Sequence, residues 1–166
     1  LNDMYDPASL PMGPLFLKKP EANTPAFNRV RAEFHIAEVE EAHPDDPAGY
    51  WRELRARYFG NVTVLDRGIG PILKALEDSG QADNTVVVFT SDHGDSLGDR
   101  GMTNKRSFYD EVARVPLIIH VPWLSKAETR VDGNIGHTDL VPTLLDLMGE
   151  DVPDHLQGSS RKAVLE

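Results

Sequence analysis

Side chains that could bind a metal ion stand together in one glycine-rich stretch. The segment "TSDHGDSLGDRG" (residues 90–101) follows the apolar run "TVVVF" and places Ser91, Asp92 and His93 directly after it. In open α/β sheets, ligands bind beyond the carboxyl ends of the strands. A carboxylate and a neutral imidazole there can hold a divalent cation. The alternative is that Asp92 caps a turn and His93 bonds to the backbone, and two ligands alone do not complete a divalent site.

A lysine follows in the same loop. Lys105 lies twelve residues after His93, beyond "GDSLGDRGMTN", which contains enough glycine to double back over the strand end. Its ammonium is a compact charge that suits sulfate or phosphate oxygens. Most lysines are simply solvated, so Lys105 taken alone does not distinguish an anion-binding lysine from an ordinary surface lysine. Together with Asp92 and His93, it predicts part of a metal and oxyanion site.

The elements around this stretch alternate as in α/β proteins. Apolar spacing predicts helices over 27–39 and 47–78, the second with one continuous apolar stripe. "TVVVFT" predicts a central parallel strand and "VPLIIHVP" a second buried strand. "SFYDEVA" predicts a short helix, and "HTDLVPTLLDLMG" a longer one capped by Thr138. We therefore predict an irregular segment over 1–25, an α/β portion over 26–158 and a tail over 159–166, all within one partial domain.

Composition limits the classes of function. The chain has 166 residues, 40% of them hydrophobic and 27% charged, which is enough for one globular domain or part of one. A net charge of −10 gives no broad basic surface, so we expect no nucleic-acid partner. There is no cysteine, hence no disulfide or thiolate site. No apolar run is long enough to span a membrane, and any targeting signal would lie upstream of Leu1, so no compartment is assigned.

The stretch "NTVVVFTSDHGDSLGDRGMTNKRSFYDEVARVPLIIHVP" closely resembles the sulfatase family of the alkaline-phosphatase-like superfamily. Members carry a buried strand, then S-D-H/N-G-x-x-L-G-D/E, a lysine, an acidic helix start and R-V-P-L-I. The flanking "YFGNVTVLDRGIGPILKALEDSG" and "HTDLVPTLLDLMG" extend the resemblance over roughly 51–158. It implies an alkaline-phosphatase-like sandwich with a mainly parallel central sheet flanked by helices, incomplete in this chain.

The resemblance also implies roles for individual residues. Asp92 and His93 match the metal-ligand pair, and Lys105 matches the catalytic lysine that binds the sulfate oxygens of the substrate. The implied cofactor is one divalent ion, Ca²⁺ by family; His93, where other sulfatases have asparagine, leaves Mn²⁺ or Zn²⁺ open. We expect Arg114 to tie the loop to the next strand, and His137 to cap or pack rather than bind metal.

The nucleophile of the family is missing from this sequence. Sulfatases convert the first residue of C/S-x-P-x-R to formylglycine, which attacks sulfur as its hydrate. The chain has no cysteine, and no serine begins that pattern, since Ser9 precedes "LPMG" and Ser159 precedes "SRKA". We therefore expect the chain to be the C-terminal part of a sulfatase domain and to be inactive alone.

Several functions stay open at this point. The first is a sulfuric ester hydrolase, whose full-length form cleaves a small-molecule or glycan sulfate ester. The second is a phosphodiesterase or phosphonate monoester hydrolase of the same superfamily, which the Asp-His pair also suits. The third is a non-catalytic module that binds a divalent cation and a partner. An incomplete sheet would expose an edge, so we also expect self-association.

Overall fold

The computed structural model describes residues 3–124 and 130–166, which form five α-helices and two β-strands. The helices are α1 (Ala26–Ala42), α2 (Pro47–Asp78), α3 (Asp110–Ala113), α4 (Leu140–Met148) and α5 (Lys162–Leu165), and the strands are β1 (Val87–Thr90) and β2 (Leu117–His120). None of these helices is both long and apolar enough to cross a membrane.

The chain divides into two compact units. The first combines residues 1–75 with 93–116, so it holds α1, most of α2, α3 and the glycine-rich loop. Its buried apolar residues include Ala32, Val39, Trp51 and Met102. The irregular segment expected before α1 is present; in it, Phe16 forms an isolated antiparallel bridge with Asp99 of the loop. This unit therefore packs the loop against the N-terminal segment and two helices.

The second unit combines residues 76–92 with 117–166. β1 and β2 pair in antiparallel register, with Val87 opposite His120 and Thr90 opposite Leu117. A short 3-10 turn at His137–Asp139 leads into α4, and α5 packs back on α4. The end of α2 is closed by Gly80 at φ +70°, as expected for a glycine after a helix.

Three expectations about the elements are wrong. β1 was expected to be a parallel strand, but its pairing in the described residues is antiparallel with β2; apolar residues on both faces do not by themselves fix direction. β2 was expected to be a buried strand, yet Ile118 is 62% exposed. Thr138 does not cap α4, because it lies inside the 3-10 turn His137–Asp139; the residue before α4 is Asp139, which makes no side-chain bond to the helix N–H groups.

Candidate functional site

The loop over residues 93–106 is folded by its own short hydrogen bonds. The Asp95 carboxylate accepts from the backbone N–H groups of Leu97 and Asn104, at 2.9 and 3.0 Å. Ser96 donates its backbone N–H to the Asn104 carbonyl, at 3.2 Å. These bonds join the two ends of the loop and return the chain toward His93, so Lys105 is brought back to the start of the loop.

The glycine after His93 allows close approach of a second backbone segment. Gly94 donates its N–H to the carbonyl of Val112 in α3, at 2.8 Å. A Cβ at this position would lie 2.1 Å from the carbonyl oxygen of Glu111, far inside contact distance. Glycine is therefore required here for steric reasons. The contact fixes the start of the loop against α3.

A buried ion pair supports the middle of the loop. Arg55 of α2 bonds to the Asp99 carboxylate at 2.8 Å, and the two side chains are only 10% and 19% exposed. The same guanidinium donates to the carbonyls of Leu97 and Pro11, at 3.3 and 3.4 Å, and lies 5.1 Å from the Phe16 ring centroid. One arginine thus holds three separate backbone segments together.

The structure brings two of the expected site residues into contact. Nζ of Lys105 lies 2.5 Å from Nε2 of the half-buried His93. Nδ1 of His93 lies 2.8 Å from the Gly94 carbonyl. Because a carbonyl oxygen only accepts, Nδ1 carries the proton and Nε2 presents a lone pair. A histidine that ligates metal usually donates its other ring N–H in this way.

The residues before the loop are held by a histidine. Asp92 is exposed and follows β1, and Ser91 Oγ lies 3.4 Å from its Oδ1. Nε2 of His137 lies 2.8 Å from the carbonyl oxygen of Ser91, so His137 donates a hydrogen bond to the backbone at the strand end. This contact fits the packing role expected for His137.

Arg114 does not have the role that we expected. Its guanidinium lies 3.7 Å from Asp110 in the preceding turn, and both side chains are 81% exposed. The pair therefore joins Arg114, the residue after α3, to the first residue of the same helix. Within the first unit, the start of the loop is bonded to α3 by the backbone N–H of Gly94 and the carbonyl of Val112.

Sequence reasoning missed the residues that support the loop from the helices. Arg31 of α1 donates to the carbonyls of Thr103 and Arg106, at 3.2 and 3.3 Å. His35, one turn later, accepts from the N–H of Thr103 at 3.3 Å, and burial with the nearby Arg31 charge lowers the pKa of His35. The only sequence signal was their spacing of four on one helix.

No cluster of three or more potential metal ligands occurs within residues 3–124 and 130–166. Asp92 and His93 are adjacent in the chain and supply a carboxylate and an imidazole with a suitable tautomer. These two side chains are suitable ligands for a divalent cation, and they form part of the ligand set that such an ion requires.

Comparison with known proteins decides the family. The family model described as Sulfatase matches residues 16–150, which is most of the chain. The chain belongs to the sulfatase family. An N-acetylglucosamine-6-O-sulfatase from Bacteroides thetaiotaomicron is 43% identical over 116 residues, covering 70% of this chain and 21% of that protein.

Solved structures agree with that assignment. A phosphonate monoester hydrolase from Agrobacterium radiobacter superposes with a TM-score of 0.76 at 31% identity, over 98% of this chain and 34% of that one. A structure in complex with its substrate D-glucosamine-2-N,6-O-disulfate gives 0.68 at 36% identity, over 83% and 28%. The sulfatase chain therefore has the alkaline-phosphatase-like fold in part, and it spans about a fifth to a third of these relatives.

Proposed function

We propose that this chain carries the strand-end part of the active site of a sulfuric ester hydrolase. In the proposal, Asp92 and His93 are consecutive ligands of one divalent ion, and Lys105 binds the oxygens of the sulfate group. The observation that carries it is the contact of Lys105 with His93, whose Nδ1 proton is held by the Gly94 carbonyl. The family and the named sulfatase relatives support the reaction class.

The proposed chemistry follows from charge. The ammonium of Lys105 stabilises the negative charge on the sulfate oxygens while the ester bond breaks and the alcohol departs. The bound ion would polarise the same group as a Lewis acid. The proton on Nδ1 of His93 keeps Nε2 available as a ligand. When a sulfate group is bound, Nζ of Lys105 moves from Nε2 of His93 to the sulfate oxygens. Lys105 therefore contacts either His93 or the sulfate.

A second candidate reaction is cleavage of a phosphonate monoester or phosphodiester. Two phosphonate monoester hydrolases align over 98% of the chain, with TM-scores of 0.75 and 0.76. The Asp-His pair and Lys105 suit a phosphoryl oxyanion as well as a sulfuryl one. Ca²⁺ is the proposed ion for a sulfatase, and the imidazole ligand makes Mn²⁺ or Zn²⁺ the alternatives.

Anion binding tests the role of Lys105. We expect sodium sulfate to shift the backbone amide signals of His93 and Lys105 in a ¹⁵N NMR titration of the chain containing Ca²⁺. Lys105→Ala should abolish these shifts, whereas Lys74→Ala, an exposed lysine of α2, should leave them. Stronger shifts with methylphosphonate than with sulfate would favour the second reaction. Sulfate shifts that persist in Lys105→Ala would refute the proposal.

The chain alone should not turn over substrate. No C/S-x-P-x-R motif is present, so hydrolysis of 4-nitrophenyl sulfate by the purified chain should equal the buffer blank. Turnover that is clearly above the blank, and that is lost in Lys105→Ala, would show that another group in the chain acts as nucleophile. A non-catalytic cation-binding module would instead bind the ion without binding sulfate.

A further inference from the structure

A second cluster of cationic side chains lies in the first unit, around a cavity of about 260 Å³. The cavity lies between the segment 18–28 and the loop residues Arg100 and Met102. Met102 is fully buried. Lys105, His93 and Asp92 are not among the lining residues, so the cavity is a feature separate from the candidate site.

Positive charge exceeds negative charge in the lining. Lys18, Lys19 and Arg100 contribute three cations, and Glu21 is the acidic residue in the lining. Lys18 bonds to Glu21 at 2.9 Å, and this hydrogen bond lowers the pKa of the Glu21 carboxyl. That pair cancels, and the charge of Arg100 is offset by Glu111, whose carboxylate lies 3.3 Å from its Nε, so Lys19 supplies the excess positive charge. The whole chain carries −10, which makes a local positive excess unusual here.

Arg100 is fixed in place and still has unused donors. Its backbone N–H bonds to the Leu15 carbonyl at 2.7 Å, its Nε bonds to Glu111 at 3.3 Å, and its guanidinium lies 4.1 Å from the Tyr109 ring centroid. These contacts restrain the side chain. Within the described ranges no hydrogen-bond partner faces Nη1 or Nη2, and a fixed planar guanidinium suits two oxygens of one oxyanion.

The other lining groups suit neutral hydroxyls. The side chains of Asn23, Thr24 and Asn28 line the cavity and make no hydrogen bond to any described residue. Amides and hydroxyls both donate and accept, so they match sugar hydroxyl groups. A volume of about 260 Å³ lies just below the range of sites for drug-sized ligands, which corresponds to a single ring.

We infer that this cavity is a binding site for a monosaccharide-sized ligand that carries one sulfate or carboxylate group. Arg100 and Lys19 bind the anionic group, and the side chains of Asn23, Thr24 and Asn28 bind the hydroxyls. The site does not depend on the proposed role of Lys105, because the two share no residue. A charged unit of a longer saccharide and a free charged sugar present the same chemistry to it.

A ¹⁵N NMR titration of the 166-residue chain tests this site with glucosamine 6-sulfate as the probe. We expect saturable shifts of the amides over 18–28 and at Arg100 and Met102, with binding at least tenfold weaker for uncharged glucosamine and for sodium sulfate. Lys19→Glu should weaken binding of the sulfated sugar at least tenfold without changing Tm, since Lys19 has no partner in the part of the chain described. Lys74→Glu, the control, should bind as the wild type does.

The outcomes separate the two sites. No shifts over 18–28, or shifts unaffected by Lys19→Glu, would overturn the inference even if His93 and Lys105 respond. If sodium sulfate binds as tightly as glucosamine 6-sulfate, the cavity is a simple anion site and the inference that it binds a saccharide is wrong. With Ca²⁺ present, shifts at the cavity without shifts at His93 and Lys105 would support the cavity and count against the proposed function. A sulfated disaccharide that binds tighter than the monosaccharide would identify a unit of a longer chain as the ligand.

Discussion

Each of the two units is organised by one buried charge, and the two charges have opposite sign. In the first unit, Arg55 donates to Asp99 and to the carbonyls of Leu97 and Pro11. In the second, the Asp139 carboxylate accepts from the N–H groups of Gly136 and Ser159 and from Arg161. In the first unit a guanidinium donates to backbone carbonyls, and in the second a carboxylate accepts from backbone N–H groups.

The two pairs also differ in how far the partner is buried. Asp99 is 19% exposed beside a buried Arg55, whereas Arg161 is 41% exposed beside a buried Asp139. An exposed partner is replaced by water at little cost, but a buried one is not. The loop of the first unit therefore needs both members of its pair, whereas the second unit depends mainly on Asp139.

The largest effect is expected from Arg55→Ala. It leaves the Asp99 charge buried without its partner and frees two carbonyls, so unfolding free energy should fall by about 3–5 kcal/mol. Urea denaturation measures this. Arg57→Ala, which removes an exposed pair with Glu53 on the same helix, should cost about 0.5 kcal/mol or less. Equal losses for both variants would contradict the central place of Arg55.

Gly94→Ala should have the next largest effect. The new Cβ meets the backbone oxygen of Glu111 at 2.1 Å, and backbone cannot swing aside as a long side chain can. We expect a loss of about 1–3 kcal/mol, as for overpacking. Gly68→Ala in α2 meets nothing within 4 Å and should gain about 0.5–1 kcal/mol from helix propensity. If Gly94→Ala leaves the free energy of unfolding unchanged, the start of the loop and α3 can move apart freely.

Acid should weaken the second unit through Asp139. The Ser159 N–H and then Arg161 hold the pKa of Asp139 below its ordinary 3.8. The unfolded chain therefore takes up this proton more readily, so the stability that Asp139 contributes is full above pH 3.8 and is lost as pH falls through the lowered pKa. Asp139→Asn should lower Tm at pH 6, and the difference from wild type should shrink below pH 3.8.

Asp146 adds a dependence of the same sign, because Ser160 and Lys162 lower its pKa too. Some loss of Tm in acid should therefore remain in Asp139→Asn. Arg161→Ala should lower Tm at pH 6 by less than Asp139→Asn, since the backbone donors to the carboxylate stay in place. The reverse order would show that the arginine, and not the carboxylate, organises this unit.

The smallest effect concerns His35. Burial is the main reason, and the Arg31 charge the second, that the pKa of His35 lies below 6.5. Its neutral form stabilises the first unit above pH 6.5, and that contribution is lost as pH falls through the lowered pKa. NMR titration of the His35 ring should give a midpoint below the ordinary 6.5. A midpoint at 6.5 or above would contradict the burial of His35.

The sequence predicted local structure well where short-range chemistry decides it. Apolar spacing predicted α2 at Pro47–Asp78, and the motif around Asp92 predicted the family that the comparisons confirm. The antiparallel pairing of β1 and β2 could not be predicted, because strand direction depends on the path of the whole chain. The partners of Arg55 lie 42 to 44 residues away along the chain, and no spacing rule reaches that far.

The candidate site shows the same division. A loop that returns Lys105 toward His93 followed from glycine content, and the structure puts their nitrogens 2.5 Å apart. The role expected for Arg114 was wrong because a nearby acid, Asp110, competes for it. Support from Arg31 and His35 was missed, since a charged residue on a helix gives no sign of the loop that it meets.

Manganese titration followed by ¹⁵N NMR tests the central claim most directly. Mn²⁺ broadens the signals of amides near its binding site. If Asp92 and His93 are metal ligands, residues 91–94 should broaden at the lowest Mn²⁺ concentration, and Asp92→Asn with His93→Gln should remove that early broadening. If the acidic positions 45–46 or 150–151 broaden first, or if the double variant broadens as the wild type does, the strand end holds no metal ligands.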